Sequence, residues 1–161
     1  MGNPAKPKPL SMAAIIKSNT MYDQTVEFPV TVGDREFMII VYPYFSNTKI
    51  RSMLEDVKDF VNQAKEENLN IDLEAEFTDI IGYFIVRHFT NIKMTTSKRA
   101  KAICEEYRQM LNSDIFKLII KAIPEESLQK VYYAIYEMQE LYKTLETKLN
   151  ALKQTYENQS Q

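Results

Sequence analysis

The pattern of apolar and polar positions is most regular between Glu125 and Tyr156. Apolar side chains recur there at alternating spacings of three and four residues, which is a heptad repeat with two seam positions. One line of this seam contains Leu128, Ile135, Tyr142, Leu149 and Tyr156, and the other contains Val131, Met138, Leu145 and Leu152. No glycine or proline interrupts the stretch, so we predict one helix of about 48 Å, at a rise of ~1.5 Å per residue. Because a small domain is narrower than this, one end of the helix should project or meet a partner.

The two halves of this predicted helix differ in the width of their apolar stripe. The first half carries the extra apolar residues Tyr132, Tyr133, Tyr136 and Leu141, and a wide stripe packs on a globular body. The second half keeps only the narrow seam. Burying each seam residue contributes roughly 1.5–3 kcal/mol, so we expect the seam to be covered by the chain's own helices, by a second copy or by another protein.

The orientation of a second copy is restricted by the charges beside the seam. A parallel pair brings Lys148 of one helix near Lys153 of the other, which places like charges together. Antiparallel self-pairing or a foreign helix therefore fits better than a parallel homodimer.

A β-hairpin is predicted at residues 24–42, before the helices. Apolar and polar residues alternate from Val26 to Val32, and Pro29 within that run indicates an edge strand in which this position is unpaired. The dipeptide at 33–34, Gly-Asp, supplies the turn. The return strand, Glu36 to Tyr42, is apolar on both faces, so helices must pack on it or a strand from another chain must extend it.

Helical periodicity predicts four more segments between the hairpin and the long helix. Their features are a helix capped by Ser46 or Asn47 and ending near Glu66, a core helix from Leu73 to Thr90, a helix capped by Thr95, Thr96 or Ser97 and ending near Leu111, and a short helix capped by Ser113. Gly82 in the core helix indicates a close helix crossing, and Pro124 starts the final helix. The predicted fold is mainly α: a short N-terminal hairpin, then a five-helix body with a long C-terminal helix.

The first 20 residues are predicted to form an arm separate from a single domain at 21–161. Prolines alternate with lysines at 4–9, which favours an extended chain. The segment from Met12 to Ile16 can form one helical turn. The arm is either disordered or becomes ordered on a partner.

Composition excludes several classes of protein. The 161 residues carry a net charge of −2, so no general field for binding polyanions is expected. The single cysteine, Cys104, excludes an internal disulfide and a multi-cysteine metal site. No apolar run reaches the length of a membrane span and no signal peptide is recognisable, so we expect a soluble intracellular protein.

No cluster of residues predicts catalysis. His88, the single histidine, has no second histidine with which to share a metal, and Cys104 has apolar neighbours at helical spacing, so we expect a satisfied histidine and an inert thiol. Four acids open the core helix, where acids complement the helix dipole: Asp72, Glu74, Glu76 and Asp79. Four basic residues lie near the start of the next helix, where a solvated face is the expected reading: Lys93, Lys98, Arg99 and Lys101.

The predicted binding surface consists of apolar residues on the long helix and the return strand. We expect contacts with other protein chains, and homo-oligomerisation, at Leu141, Tyr142, Leu145, Leu149, Leu152, Tyr156, Ile40 and Tyr42. Membrane binding is not expected, and nucleic acid binding is disfavoured because no aromatic residues interleave with the basic ones.

Three stretches resemble a known family of phage proteins. These are Val41-Tyr42-Pro43-Tyr44-Phe45 after the hairpin, the segment Ile80 to Thr90, and the segment Ile123 to Val131. Over residues 24–155 the order of elements is similar to that of bacteriophage tail assembly chaperones. The resemblance implies a protein without active site or cofactor, which oligomerises in the host cytoplasm and sheathes apolar helical stretches of the tape-measure protein.

Two alternatives remain open from the sequence. One is a structural virion or baseplate subunit, whose arm and long helix lock into neighbouring subunits. The other is a small enzyme or nucleic-acid adaptor that uses the basic residues near Lys98.

Overall fold

A computed structural model describes residues 5–160, and it has the predicted mainly helical fold with an N-terminal two-stranded hairpin. The elements in chain order are α1 (Met12–Asn19), a 3-10 turn (Thr20–Asp23), β1 (Val26–Val32), β2 (Arg35–Val41), α2 (Asn47–Glu66), α3 (Phe77–Phe89), α4 (Ala100–Leu111), α5 (Asp114–Ala122) and α6 (Glu125–Gln159). The parts of the predicted arm and domain that fall on residues 1–4 and 161 lie outside the described residues.

The helix α1 within the predicted arm is longer than the single turn expected there. It extends to Asn19, and the hydroxyl oxygen of Ser11 caps it by accepting a hydrogen bond from the backbone N–H of Ala14 at 3.2 Å. None of its side chains is buried, and its apolar residues Met12 and Ile16 are exposed. The flexibility of the arm and its separation from the domain stay predictions.

The hairpin has the predicted turn and edge strand. Gly33, the first turn residue, has φ +61°, a left-handed conformation that glycine adopts without strain. Val32 pairs with Arg35 across the turn, and Pro29 lies opposite Met38. Because β1 has a neighbour on one side only, the missing N–H of Pro29 is tolerated at its position in an edge strand.

The outer edge of β2 is covered by residues that follow α3. The N–H of Tyr42 donates to the carbonyl of Phe89 at 2.9 Å, and the N–H of Asn91 donates to the carbonyl of Ile40 at 3.1 Å. The side-chain amide of Asn91 also accepts from the N–H of Ile40 and donates to the carbonyl of Met38. The chain itself therefore pairs with part of the edge that a strand from another chain was expected to extend.

The core is centred on α3, of which every residue from Ile80 to Val86 is buried. Phe89 at its end stacks on Phe45, with ring centroids 3.8 Å apart. The predicted close crossing at Gly82 is confirmed, because a Cβ atom added there lies only 2.8 Å from the Phe116 ring of α5. The helix begins at Phe77 rather than Leu73, after a turn in which Asp72 accepts a hydrogen bond from the N–H of Ala75.

The predicted N-caps are confirmed at α2 and α5, where the capping serine directly precedes the helix, and the prediction is wrong at α4. Ser46 and Ser113 accept hydrogen bonds from the first turns of α2 and α5, as expected. Helix α4, however, begins at Ala100, too late for Thr95, Thr96 or Ser97 to cap it. The Ala100 N–H donates instead to the side-chain oxygen of Gln63 on α2, at 3.1 Å.

Helix α6 is fixed to the body near its start and leaves the body farther along. The hydroxyl of buried Ser127 donates to the Pro43 carbonyl at 2.5 Å, and the ammonium of Lys130 donates to the Phe45 carbonyl at 2.7 Å. Val131 is buried, whereas every side chain at 143–160 is exposed. The exposed part of the helix is about 25 Å long, at a rise of ~1.5 Å per residue.

Candidate protein-binding surface

Two grooves flank α6 at the place where it leaves the body. The larger has a volume of about 570 Å³ and lies between α2 and α6, where Ile50, Leu54, Ala134 and Met138 contribute apolar lining. The smaller, of about 190 Å³, lies on the other flank of α6. Its apolar lining comes from α2, α3 and α6, with Val57, Val61, Phe77, Ile81 and Ile135 among the residues.

Both grooves end at the beginning of the exposed part of α6. Leu141 lines the larger groove and Tyr142 the smaller one. The ammonium of Lys58 on α2 lies 5.5 Å from the centroid of the Tyr142 ring, a cation–π contact with the body. The grooves and the seam of the exposed helix therefore form one continuous surface.

The seam beyond this contact is open to solvent. Leu145 and Leu149 are each 52% exposed, Leu152 is 57% exposed and Tyr156 is 70% exposed. A surface helix normally turns its apolar residues toward a core. Of the three covers expected from the sequence, the chain's own helices are therefore not the one used in the described residues.

The structure separates the eight predicted binding residues into two groups. Those from α6 belong to the continuous surface of groove and seam, but Ile40 and Tyr42 are half-buried at the base of the hairpin. The backbone of both is hydrogen-bonded within the chain, and the Lys49 ammonium lies 4.8 Å from the centroid of the Tyr42 ring. Participation of these two side chains in partner binding stays a prediction.

Two further apolar surfaces lie outside the eight predicted binding residues. At the tip of the hairpin Val32, Phe37 and Met38 are exposed, and in the arm Leu10, Met12 and Ile16 are exposed. The sequence does indicate an exposed apolar surface on the hairpin, because β2 is apolar on both faces and the hairpin has no third full strand. The packed base of β2, at Ile39 and Val41, uses only part of that surface.

The histidine and the cysteine have structural surroundings. The Nε2 of His88 lies 2.8 Å from the Oδ2 of Asp56, so the imidazole has a hydrogen-bond partner, as expected. Burial lowers the pKa of His88, although Asp56 opposes this shift. Cys104 is buried, and burial raises the pKa of its thiol, which makes it a poor nucleophile.

A polar network joins α3, α4 and the segment between them. The carboxylate of Glu106 accepts hydrogen bonds from the Tyr83 hydroxyl and from the Thr95 N–H, both at 2.7 Å. Arg87 donates to the Ser97 carbonyl at 3.4 Å, and burial raises the pKa of the Tyr83 hydroxyl. These bonds hold the segment before α4 against the core.

The charged clusters singled out from the sequence acquire no ligand geometry. The basic residues Lys93, Lys98, Arg99 and Lys101 are all exposed. Among residues 5–160, no three acidic, histidine or cysteine side chains are grouped so as to hold a metal ion. Within the same range, none of the helices combines the length and the apolar character that crossing a bilayer requires.

The fold and this surface define a mainly helical protein with a hairpin and a long projecting helix that carries an open apolar seam. The sequence model of the YomO family matches residues 12–161, and the chain belongs to that family. A relative is the SPbeta prophage-derived uncharacterized protein YomO of Bacillus subtilis (strain 168), which is 26% identical over 141 residues, 87% of this chain and 81% of the relative. No solved structure matches the chain. The family is phage-associated, and the comparisons do not extend to tail assembly chaperones in particular.

Proposed function

We propose that this protein is a non-enzymatic tail assembly chaperone, which oligomerises and binds apolar helical segments of the phage tape-measure protein in the host cytoplasm. The observation that carries the proposal is the open heptad seam on the projecting part of α6, from Tyr142 to Tyr156. A seam of this kind is complementary to another helix with the same repeat.

The grooves beside α6 support a helical partner rather than an extended one. A helix in a groove presents side chains at intervals of three and four residues, and the lining of the larger groove is mostly apolar. Charged groups border it on both sides, with Arg51 from α2 and Glu137 from α6. A client helix can therefore lie along the seam and place its next turns in the groove.

The phage association of the family supports a role in virus assembly. The resemblance to tail assembly chaperones implies that the clients are apolar helical stretches of the tape-measure protein. Such stretches aggregate unless their apolar faces are covered, since a large exposed apolar surface binds non-specifically. A protein with a free apolar seam can provide this cover without catalysing any reaction.

The same proposal assigns no catalytic residue and no cofactor. Its support is that His88 is bonded to Asp56 and that Cys104 is buried with a raised thiol pKa. Binding through apolar side chains requires neither group.

The proposal is tested by co-expressing the full chain with the tape-measure protein of the same phage and purifying the complex. We expect a soluble complex with the unaltered chain, and loss of it when Leu145, Leu149 and Leu152 are all replaced by Ser. The matched control replaces Thr147, Asn150 and Gln154, which lie off the seam of the same helix, by Ser. Equal recovery of the complex with both triple variants, or no complex with the unaltered chain, contradicts the proposal.

A second candidate is a structural virion or baseplate subunit. It is favoured by the exposed arm and hairpin tip, where Leu10, Met12, Ile16, Phe37 and Met38 lie open to solvent. Elements of this kind lock into neighbours in a particle. Mass spectrometry of purified virions separates the two roles, because a chaperone is absent from the finished particle whereas a structural subunit is present with its arm protected from protease.

A further inference from the structure

We infer that the projecting part of α6 pairs with the same segment of a second copy, antiparallel and in one register. In that register Tyr142 of each helix lies opposite Gln159 of the partner subunit. The inference rests on the proposed role of α6 in binding helices, and it names the occupant of the seam when no client is bound.

The body limits which part of the seam a second helix can reach. Val131 is buried, and Ile135 and Met138 are partly buried against the core. The accessible seam therefore begins at Tyr142, and α6 ends at Gln159. An antiparallel pair that overlaps over this whole segment matches Leu149 with Leu152 of the partner subunit and Leu145 with Tyr156 of the partner subunit.

Charge at the flanks of the seam selects the same register. Reversing one helix places each flank opposite the same flank of its partner, and Glu146 and Lys153 lie one heptad apart on one flank. In the register above, Glu146 lies nearest to Lys153 of the partner subunit, and Lys153 lies nearest to Glu146 of the partner subunit. On the other flank Lys148 lies nearest to Thr155 of the partner subunit, so no like charges meet.

The two neighbouring registers, each one heptad away, bring like charges together and cover the apolar seam less well. A shift inward places Glu146 beside Glu146 of the partner subunit and Lys148 beside Lys148 of the partner subunit, and it pushes Tyr156 toward the covered Met138. A shift outward places Lys153 beside Lys153 of the partner subunit and leaves Leu145 uncovered. The register with full overlap is therefore the one that both apolar cover and charge favour.

A parallel arrangement makes an opposite prediction for the same residues. It places Lys148 near Lys153 of the partner subunit, on both sides of the seam. Reversing the charge of either lysine relieves that repulsion in a parallel pair. In the antiparallel pair, reversal at position 153 instead creates repulsion with Glu146 of the partner subunit.

The test measures the dimer dissociation constant of the full chain by analytical ultracentrifugation at low salt. We expect a dimer that Lys153→Glu weakens on the order of tenfold, since two attractive pairs become repulsive. The double variant Glu146→Lys/Lys153→Glu should restore the dimer, because it exchanges the two charges of each pair. Lys148→Glu is the matched control and should change the constant little, since its nearest partner is Thr155 of the partner subunit.

Other outcomes overturn either the inference or the proposed function, and the two failures are distinguishable. Tighter dimers with Lys153→Glu and with Lys148→Glu indicate a parallel pair, and a monomer at every concentration excludes self-pairing. A monomer that still binds the tape-measure protein leaves the client binding of the proposed function intact and contradicts its oligomerisation. A dimer with this charge pattern that fails to bind the tape-measure protein supports self-pairing and contradicts the proposed function.

Discussion

At the scale of single residues, His88 shows how contacts from another helix set the protonation of a titratable group. It lies on α3 beside buried residues, and Asp56 of α2 provides its hydrogen-bond partner. Burial disfavours the charged imidazolium, and the positive charges of Arg87 and Lys49 act in the same direction. These effects outweigh the attraction of Asp56, so the folded state favours the neutral imidazole.

This balance predicts how stability depends on pH. The unfolded histidine has a pKa near 6.5 and binds protons more readily than the folded one. The contribution of His88 to the free energy of unfolding is therefore fully present above about pH 6.5. It is lost as the pH falls toward and through the lower pKa of the folded state. We expect a smaller loss of unfolding free energy between pH 7.5 and 5.5 in His88→Asn than in the unaltered chain, measured by urea denaturation.

The substitution Asp56→Asn provides the contrast at the same contact. It removes the carboxylate that raises the pKa of His88. Its loss of unfolding free energy on acidification should therefore be larger than that of the unaltered chain. An unchanged pH dependence in both variants contradicts this account of the pair.

At the scale of elements, the sequence predicted what short-range chemistry determines. The caps Ser46 and Ser113 lie next to the helices that they cap, and Gly33 lies in the turn that needs a left-handed residue. The heptad spacing of α6 likewise depends only on its own residues. These features were predictable because the interacting groups are close in sequence.

The elements that were missed depend on contacts between distant parts of the chain. The cap of α4 comes from Gln63, and the cover of the β2 edge comes from Asn91. Thr95, Thr96 and Ser97 looked suitable as caps. Hydrogen bonds that join residues 95–97 to Glu106 and Arg87 hold these residues outside the helix, which begins at Ala100. The open hairpin tip was missed for a related reason, since only the packing of the body decides which part of a two-faced strand is covered.

The remote cap predicts an unequal response of residues that look alike. Gln63→Ala leaves the N–H of Ala100, a buried residue, without its partner, and should lower the unfolding free energy by about 1 kcal/mol. Thr96→Ala is the control, because Thr96 is exposed and its side chain forms no hydrogen bond within residues 5–160. Urea denaturation at pH 7.5 measures both variants. Equal effects of the two substitutions contradict the assignment of the cap.

At the scale of the whole molecule, the body and the projecting helix are held by different interactions. The body has a continuous core around α3, and α6 joins it through Ser127, Lys130 and Val131. The helix beyond Tyr142 has all its described side chains exposed. Its apolar residues contribute to stability only when another chain covers them.

This division predicts the effect of removing residues 143–161. The truncated chain keeps the hydrogen bonds of Ser127 and Lys130, so its body should fold as a monomer. Its midpoint temperature of unfolding, measured by circular dichroism in dilute solution, should lie within about 3 °C of that of the monomeric full chain. Unfolding of the full chain should shift to higher temperature as its concentration rises, because association stabilises only the folded form. The truncated chain should lack this shift. A body that fails to fold without the projecting helix, or a concentration dependence that survives truncation, shows that the helix stabilises its own chain and that the seam is not the site of association.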